Sequence, residues 1–214
     1  MPTETWNRLP VARRQAVLDA AEAEFARHGF SRGSLNVIAR EAGVAKGSLF
    51  QYFDDKVDLF VHLCVIAADR VGLAMDEATA DVDWSRGFFP GYTEMLDIWV
   101  EHFRTHTVDR ELSAAVTLEA DPDARTAVRA VIDARYVEFL RPLLETARAD
   151  GWLRPDADLD AFIAILLLVL PHLALAPTHA ELDPVLGLGG LDPSTGVRRL
   201  IAVLEAAFGS TPPP

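Results

Sequence analysis

The sequence predicts an all-α protein with a small N-terminal head and a larger helical body. Apolar residues recur at the helical period almost throughout, and the period-two alternation of a half-buried strand is missing. Recognisable start and stop residues also bound the apolar segments. A chain of 214 residues, half of them hydrophobic, is long enough to bury a sizeable core in both parts.

The first helix is predicted over about 11–27, with Pro10 at its start and Gly29 just past its end. Val17, Leu18, Ala21 and Phe25 fall on the face it turns to the core. A second helix follows the N-cap candidate Ser34 and stops before Gly43; a short third covers 45–52. A fourth opens near Asp54 or Asp55, whose charge suits a helix N-terminus, and runs towards Ala80. Residues 81–90, with Trp84, Gly87 and Pro90, read as a connection to helices over 91–106 and 109–119. Asp121-Pro122 opens a helix to about Asp150, with a kink or break expected at Pro142. Another follows Asp156, carries the apolar run Phe162 to Leu170, bends at Pro171 and ends before Pro177. Gly187 to Gly190 reads as a loop, since neither the spacing nor the preceding strand of a phosphate-binding motif is present. Asp192-Pro193 opens the last helix, to about Phe208.

The net charge of −12 seems at first to argue against a nucleic-acid partner, but its distribution reverses that. Up to position 60, eight basic residues balance eight acidic ones, so the whole acidity belongs to the remainder. The only lysines, Lys46 and Lys56, both lie in the neutral part. An acidic body would orient the molecule head-first towards a polyanion.

Residues 34–52 meet the demands of a helix-turn-helix: two short helices, a glycine-containing turn, and a second helix with a small or polar outer face. Gly43 permits the turn, Val44 and Leu49 plug the space between the helices, and Ala45, Lys46, Gly47, Ser48 and Gln51 face outward.

With its flanks this segment resembles the TetR family of bacterial repressors over about 17–60. The match runs through Val17-Leu18-Asp19-Ala20-Ala21, Phe25, Gly29-Phe30, Ile38-Ala39, Ala42-Gly43-Val44, Lys46-Gly47-Ser48-Leu49-Phe50, Tyr52-Phe53, Lys56 and Leu59-Phe60. The resemblance implies that Ser34, Lys46, Phe50, Tyr52 and Lys56 approach phosphates, while Ala45, Gly47, Ser48 and Gln51 lie nearest base edges. Ser48 and Gln51 are then the candidates for reading sequence. Three departures stand out. Val37 cannot complete a capping box with Ser34, Gly33 lacks a common hydroxyl, and Phe50 lacks the phenol of the commoner Tyr.

The resemblance further implies an inducer pocket among the middle helices, for which Phe88, Tyr92, Trp99, Phe103 and Tyr136 are the candidates and a small apolar or aromatic effector the expected ligand. It implies a homodimer joined through the last two long helices, about 157–176 and 193–208, by Ile163, Leu166, Leu167, Leu170, Leu200, Ile201 and Leu204. The domains are accordingly expected at 10–58 for binding double-stranded operator DNA and 59–209 for effector binding and dimerisation, with 210–214 a tail.

His102 and His106 are spaced so that both imidazoles reach one metal ion, but no cysteine or nearby acid completes a ligand set, so neither metal nor cofactor is expected. No nucleophile–base pair, paired carboxylate site or nucleotide loop points to an enzyme. A single cysteine, Cys64, and the lack of a secretory signal or a bilayer-length apolar run fit a cytoplasmic protein. The expected function is ligand-responsive transcriptional regulation, with repression the default sign. The alternative keeps the fold but has weak or no DNA binding, as a ligand sensor or interaction scaffold; Gly33, Val37 and Phe50 are the residues in its favour.

Overall fold

A computed structural model describes residues 2–183, 185, 186, 188 and 192–210. The protein is all-α: α1 Glu4–Asn7, α2 Val11–Arg32, α3 Leu35–Glu41, α4 Lys46–Tyr52, α5 Lys56–Ala78, α6 Phe88–Thr105, α7 Thr107–Thr117, α8 Pro122–Ala149, α9 Leu159–Leu175 and α10 Pro193–Phe208. Single 3-10 turns lie at Trp84–Arg86 and Ala180–Leu182. Among the described residues the only extended pairing is an isolated bridge between Leu153 and Gly209. Of the glycine-rich stretch read as a loop, Gly187, Gly189 and Gly190 lie outside the described residues, as does most of the predicted tail.

The chain packs as two compact units. The first comprises 1–72 and 107–132, so α7 and the start of α8 belong with the N-terminal helices. Its core joins Val17, Ala21 and Phe25 of α2 to Ile38 of α3, Leu49 of α4, Leu59 and Phe60 of α5, Leu112 of α7 and Val128 of α8. The helical geometry of α2 breaks at Gly29, where φ is 67°, and the chain resumes for one turn. This redirection brings Phe30 against Phe60, 5.3 Å between ring centroids, while Phe25 meets the same ring edge-on at 5.0 Å. Arg70 of α5 ties α2 to α7 by pairing with Glu22 at 2.8 Å and with buried Asp109.

The second unit comprises 73–106 and 133–214. One face of α6 carries Phe88, Tyr92, Leu96, Trp99 and Phe103, all buried. The Trp99 indole N–H donates to the Leu170 carbonyl of α9 at 3.3 Å. After α8, the Arg154 N–H donates to the Phe208 carbonyl and the Ser210 N–H to the Trp152 carbonyl, fastening the end of α10.

Two predicted boundaries move. α6 starts at Phe88 and takes Pro90 into its first turn, where a missing N–H costs nothing because the first turn has no intrahelical acceptor for it. α8 runs through Pro142 as one helix, so the chain does not break there. Pro142 and Glu138, one turn before it, are both exposed, so the carbonyl that loses its partner lies on the solvent side. The helix expected to follow Asp156 is capped by Asp158, whose carboxylate accepts from the Ala161 N–H at 3.0 Å.

Gly33, noted in the sequence for its missing hydroxyl, has a packing reason to be glycine. A Cβ there would stand 2.6 Å from Phe25 Cδ1 and 2.9 Å from the Gly29 carbonyl oxygen, one inside the core and the other backbone. Gly33→Thr is therefore expected to destabilise by about 1–3 kcal/mol through overpacking. Urea unfolding measures this, and an unchanged midpoint would mean that the ring and the carbonyl yield freely.

Candidate nucleic-acid interface

The helix-turn-helix is built by end chemistry, because α3 and α4 are each only seven residues long. At the end of α3 the Gly43 N–H donates to the Arg40 carbonyl at 3.1 Å and the Val44 N–H to the Ala39 carbonyl at 2.9 Å. This paired pattern requires a left-handed residue between them, and Gly43 supplies it with φ 66°. Val44 then packs against the core beside buried Leu49, as the sequence predicts.

At the start of α3 the Ser34 hydroxyl accepts from the Val37 N–H at 3.5 Å. The reciprocal half of a capping box, which Val37 cannot offer, is supplied from another helix: Glu24 of α2 accepts the Ser34 N–H at 2.8 Å. A buried carboxylate at that position also suits the positive end of α3. The weakened helix start expected from Val37 is thus offset.

On α4, Ala45, Lys46, Gly47, Phe50 and Gln51 are exposed and Ser48 is half-buried. Nothing lies within 4 Å of where a Gly47 Cβ would be, so the backbone there is open to close approach. The other nominated residues are engaged within the unit. Ser34 caps α3, and Tyr52 is buried with its ring 5.9 Å from that of Trp6. Lys56 Nζ sits 4.4 Å above the Phe30 ring and donates to the Ser31 carbonyl at 3.4 Å. Burial lowers the Lys56 pKa, against the opposing charges of Glu119, Asp121 and Glu24.

Besides Glu24, sequence reasoning missed Thr3, Trp6 and Glu119. Thr3 and Trp6 lie ahead of the first predicted helix, yet Trp6 is buried, 4.8 Å from Phe53 and 5.7 Å from His62 between ring centroids. A lone tryptophan among polar residues was the available signal. Glu119, between α7 and α8, accepts the Ser31 N–H at 3.1 Å, the Ser31 hydroxyl, and the Asp121 N–H at 2.8 Å. No local pattern announces such a contact across 88 positions.

In the second unit, the residues nominated for an effector form two aromatic groups along α6. Phe88 and Tyr92 stack at 5.3 Å; Trp99 lies 4.7 Å from Phe103 and 5.9 Å from Tyr136. Tyr92 is fully buried, its hydroxyl has no hydrogen-bond partner among the described residues, and burial pushes its pKa up. His102 and His106 stack face to face at 4.1 Å, with His106 Nδ1 2.9 Å from the His102 carbonyl oxygen.

The residues nominated for dimerisation divide by burial within the single chain. Ile163, Leu166, Leu170, Ile201 and Leu204 are buried in the core of their own unit, and Leu167 and Leu200 are half-buried. The apolar residues that α9 and α10 leave outward are Ile165, Leu168, 75% exposed, and Val203, 64% exposed.

Residues 17–63 match the family model described as bacterial regulatory proteins, tetR family. A protein of Escherichia coli (strain K12), named "Probable acrEF/envCD operon repressor", is 24% identical over 156 residues, 72% of this chain and 70% of that protein. The crystal structure of a TetR family transcriptional regulator from Chloroflexus aurantiacus J-10-FL is similar over 99% of this chain and 100% of that one, with TM-score 0.58 and 26% identity. FadR from Bacillus subtilis, a transcriptional regulator solved in complex with stearoyl-CoA, shares the fold at TM-score 0.65 and 17% identity, over 89% of this chain and 96% of that one.

The Glu119 contacts carry a pH signature. Burial disfavours the charged form, but hydrogen bonds from Asp121, Ser31 and Ala120 outweigh it and hold the carboxyl below its ordinary value of 4.5. As pH falls the unfolded chain therefore binds the proton first. The stabilisation is complete above the ordinary value and is lost as pH drops through the lower folded one. Glu119→Gln should lower the urea midpoint at neutral pH, and its gap to wild type should close in acid below 4.5. A gap that stays constant with pH would show that the charge contributes nothing.

Proposed function

We propose that the chain is a member of the tetR family of bacterial regulatory proteins, whose model matches residues 17–63, and that it is a homodimeric, ligand-released repressor reading a near-palindromic operator through α4. The observation that carries this reading is the exposed outer face of α4, where Ala45, Lys46, Gly47 and Gln51 stand clear of the protein's own packing while Leu49 anchors the inner face. Lys46 neutralises phosphate and sets register; Gln51 and Ser48 read base edges. Phe50 adds apolar contact beside them. Ser34, Tyr52 and Lys56 act from beneath, holding α3, α4 and the start of α5 in place.

Residues 10–58 carry DNA recognition, 59–209 effector binding and dimerisation, and 210–214 form a tail. The dimer forms through the outward apolar residues Ile165, Leu168 and Val203. It sets two copies of α4 one DNA turn apart, about 34–36 Å, for successive major grooves. The effector is a small, mostly apolar molecule held among the α6 aromatics, with Tyr92 supplying one hydroxyl for a polar group on it. It binds best to a state with a different spacing of the two α4 helices, and operator affinity falls by the difference. The function is binding rather than catalysis, in the cytoplasm, where DNA is the partner and the buried Cys64 thiol stays reduced.

Selection from a random duplex library with the wild-type protein should enrich a two-fold-symmetric sequence, bound with a steep loss of affinity as salt rises. Lys46→Ala should weaken binding to all duplexes and reduce the salt slope by about one. Gln51→Ala should instead reduce discrimination by about 1–3 kcal/mol at one position per half-site. Failure to enrich any sequence, with binding indifferent to salt, would overturn the repressor reading. Independently, Leu168→Glu should convert the dimer to a folded monomer in sedimentation velocity; a variant that sediments as wild type would remove this face from the interface.

A further inference from the structure

We propose that the N-terminal arm, Thr3 to Leu9, is a positioning element for α4: it fixes the end of that helix and so determines sequence discrimination without touching DNA. The inference rests on α4 being the helix that reads the operator.

A seven-residue helix has too few internal hydrogen bonds to hold its own geometry, and its last carbonyls have no partner within the helix. In α4 the chain leaves in extended conformation at Phe53, so no turn of its own satisfies the Gln51 and Tyr52 carbonyls. The arm does so from outside. The Thr3 N–H donates to the Tyr52 carbonyl at 3.0 Å, and the Thr3 hydroxyl donates to the Gln51 carbonyl at 2.6 Å. The same hydroxyl oxygen accepts the Trp6 N–H at 3.4 Å, starting the single turn α1 that presents the indole.

Trp6 is then buried between α4 and α5, against Tyr52 and Phe53 and edge-on to His62. Behind it, Arg14 of α2 donates to the Asn7 carbonyl at 2.9 Å and the Leu9 carbonyl at 3.1 Å, so the arm is anchored at its far end as well. The residue whose carbonyl the arm holds, Gln51, is exposed on its other side, where the proposed base contact is made. Loosening this end would let the Gln51 turn wander in the groove while leaving Lys46, at the opposite end of α4, free to attract phosphate. Sequence-specific and non-specific binding respond differently to such a change.

The test compares the full chain with Thr3→Pro, Trp6→Ala and Trp6→Phe, using the duplex enriched by wild type and a scrambled duplex of equal length. The Thr3 φ of −76° suits proline, so Thr3→Pro removes both donors with little backbone cost. Thr3→Pro and Trp6→Ala should each weaken binding to the enriched duplex by about tenfold, the loss expected for one or two hydrogen bonds or a buried contact. Binding to the scrambled duplex and the salt slope should not change, and Trp6→Phe should recover most of the loss. Amide hydrogen exchange without DNA should accelerate in Ser48 to Phe53 for the first two variants and not in the core of α5.

Equal weakening on both duplexes with a shallower salt slope would overturn the proposal, placing the arm on the phosphates. Unchanged affinity on both would overturn it too. Should wild type enrich no duplex, the repressor reading fails by itself. The exchange measurement then stands alone, and unaltered protection in α4 rejects the clamp.

Discussion

A helix that is to enter a DNA groove must be slim, exposed along most of its length and small-faced, and each of these demands removes something that would hold it in shape. With seven residues α4 cannot rely on its own ladder of hydrogen bonds, and with an open outer face it can bury only one side. Much of the first unit compensates for that deficit. Leu49 anchors the inner face, the Gly43 turn fixes the entry, and Thr3 and Trp6 fasten the exit. α3, equally short, is held at its start by Ser34 and Glu24. Glu119, supplied from beyond α7, holds the segment just before α3. Buried carboxylates are costly to desolvate, and both of these are offset by hydrogen bonds to backbone amides.

The second unit faces a different constraint. α9 is apolar on nearly every side: Phe162, Ile163, Leu166 and Leu170 are buried, while Ile165 and Leu168 stay exposed. Exposed apolar side chains gathered on one face are what a partner surface would cover. The Tyr92 hydroxyl is the complementary oddity of the interior: a buried polar group that no atom of the described residues answers.

Much of the architecture was legible because the chain signals its helix ends locally. Ser34, Asp121-Pro122, Asp192-Pro193 and Gly43 each act within four residues of themselves, and each stands where the sequence puts it. What escaped reading depends on partners far away in sequence. Glu24 completing the cap on Ser34, Glu119 accepting from Ser31 and Thr3 holding Gln51 leave no periodic trace. Lys56 shows the same limit: a lysine in a neutral segment suggests a free cation, but folding turns it onto Phe30. In α9 the limit has another cause. Where Ile163, Ile165, Leu166 and Leu168 follow one another almost without interruption, periodicity cannot say which side is inward. Pro142 sits on the exposed side of α8, where water can take up the carbonyl it orphans and so lessens the cost of continuing the helix.

The scarcity of lysine gains a practical meaning from where its two side chains point. With Lys56 half-buried and drawn onto the Phe30 ring and the Ser31 carbonyl, Lys46 is the more exposed of the two side-chain amines in the chain. A single acetylation or label at that one nitrogen would remove its charge from the outer face of α4 without touching the packed interior. The molecule thus carries a chemically addressable reporter on the surface proposed to meet DNA.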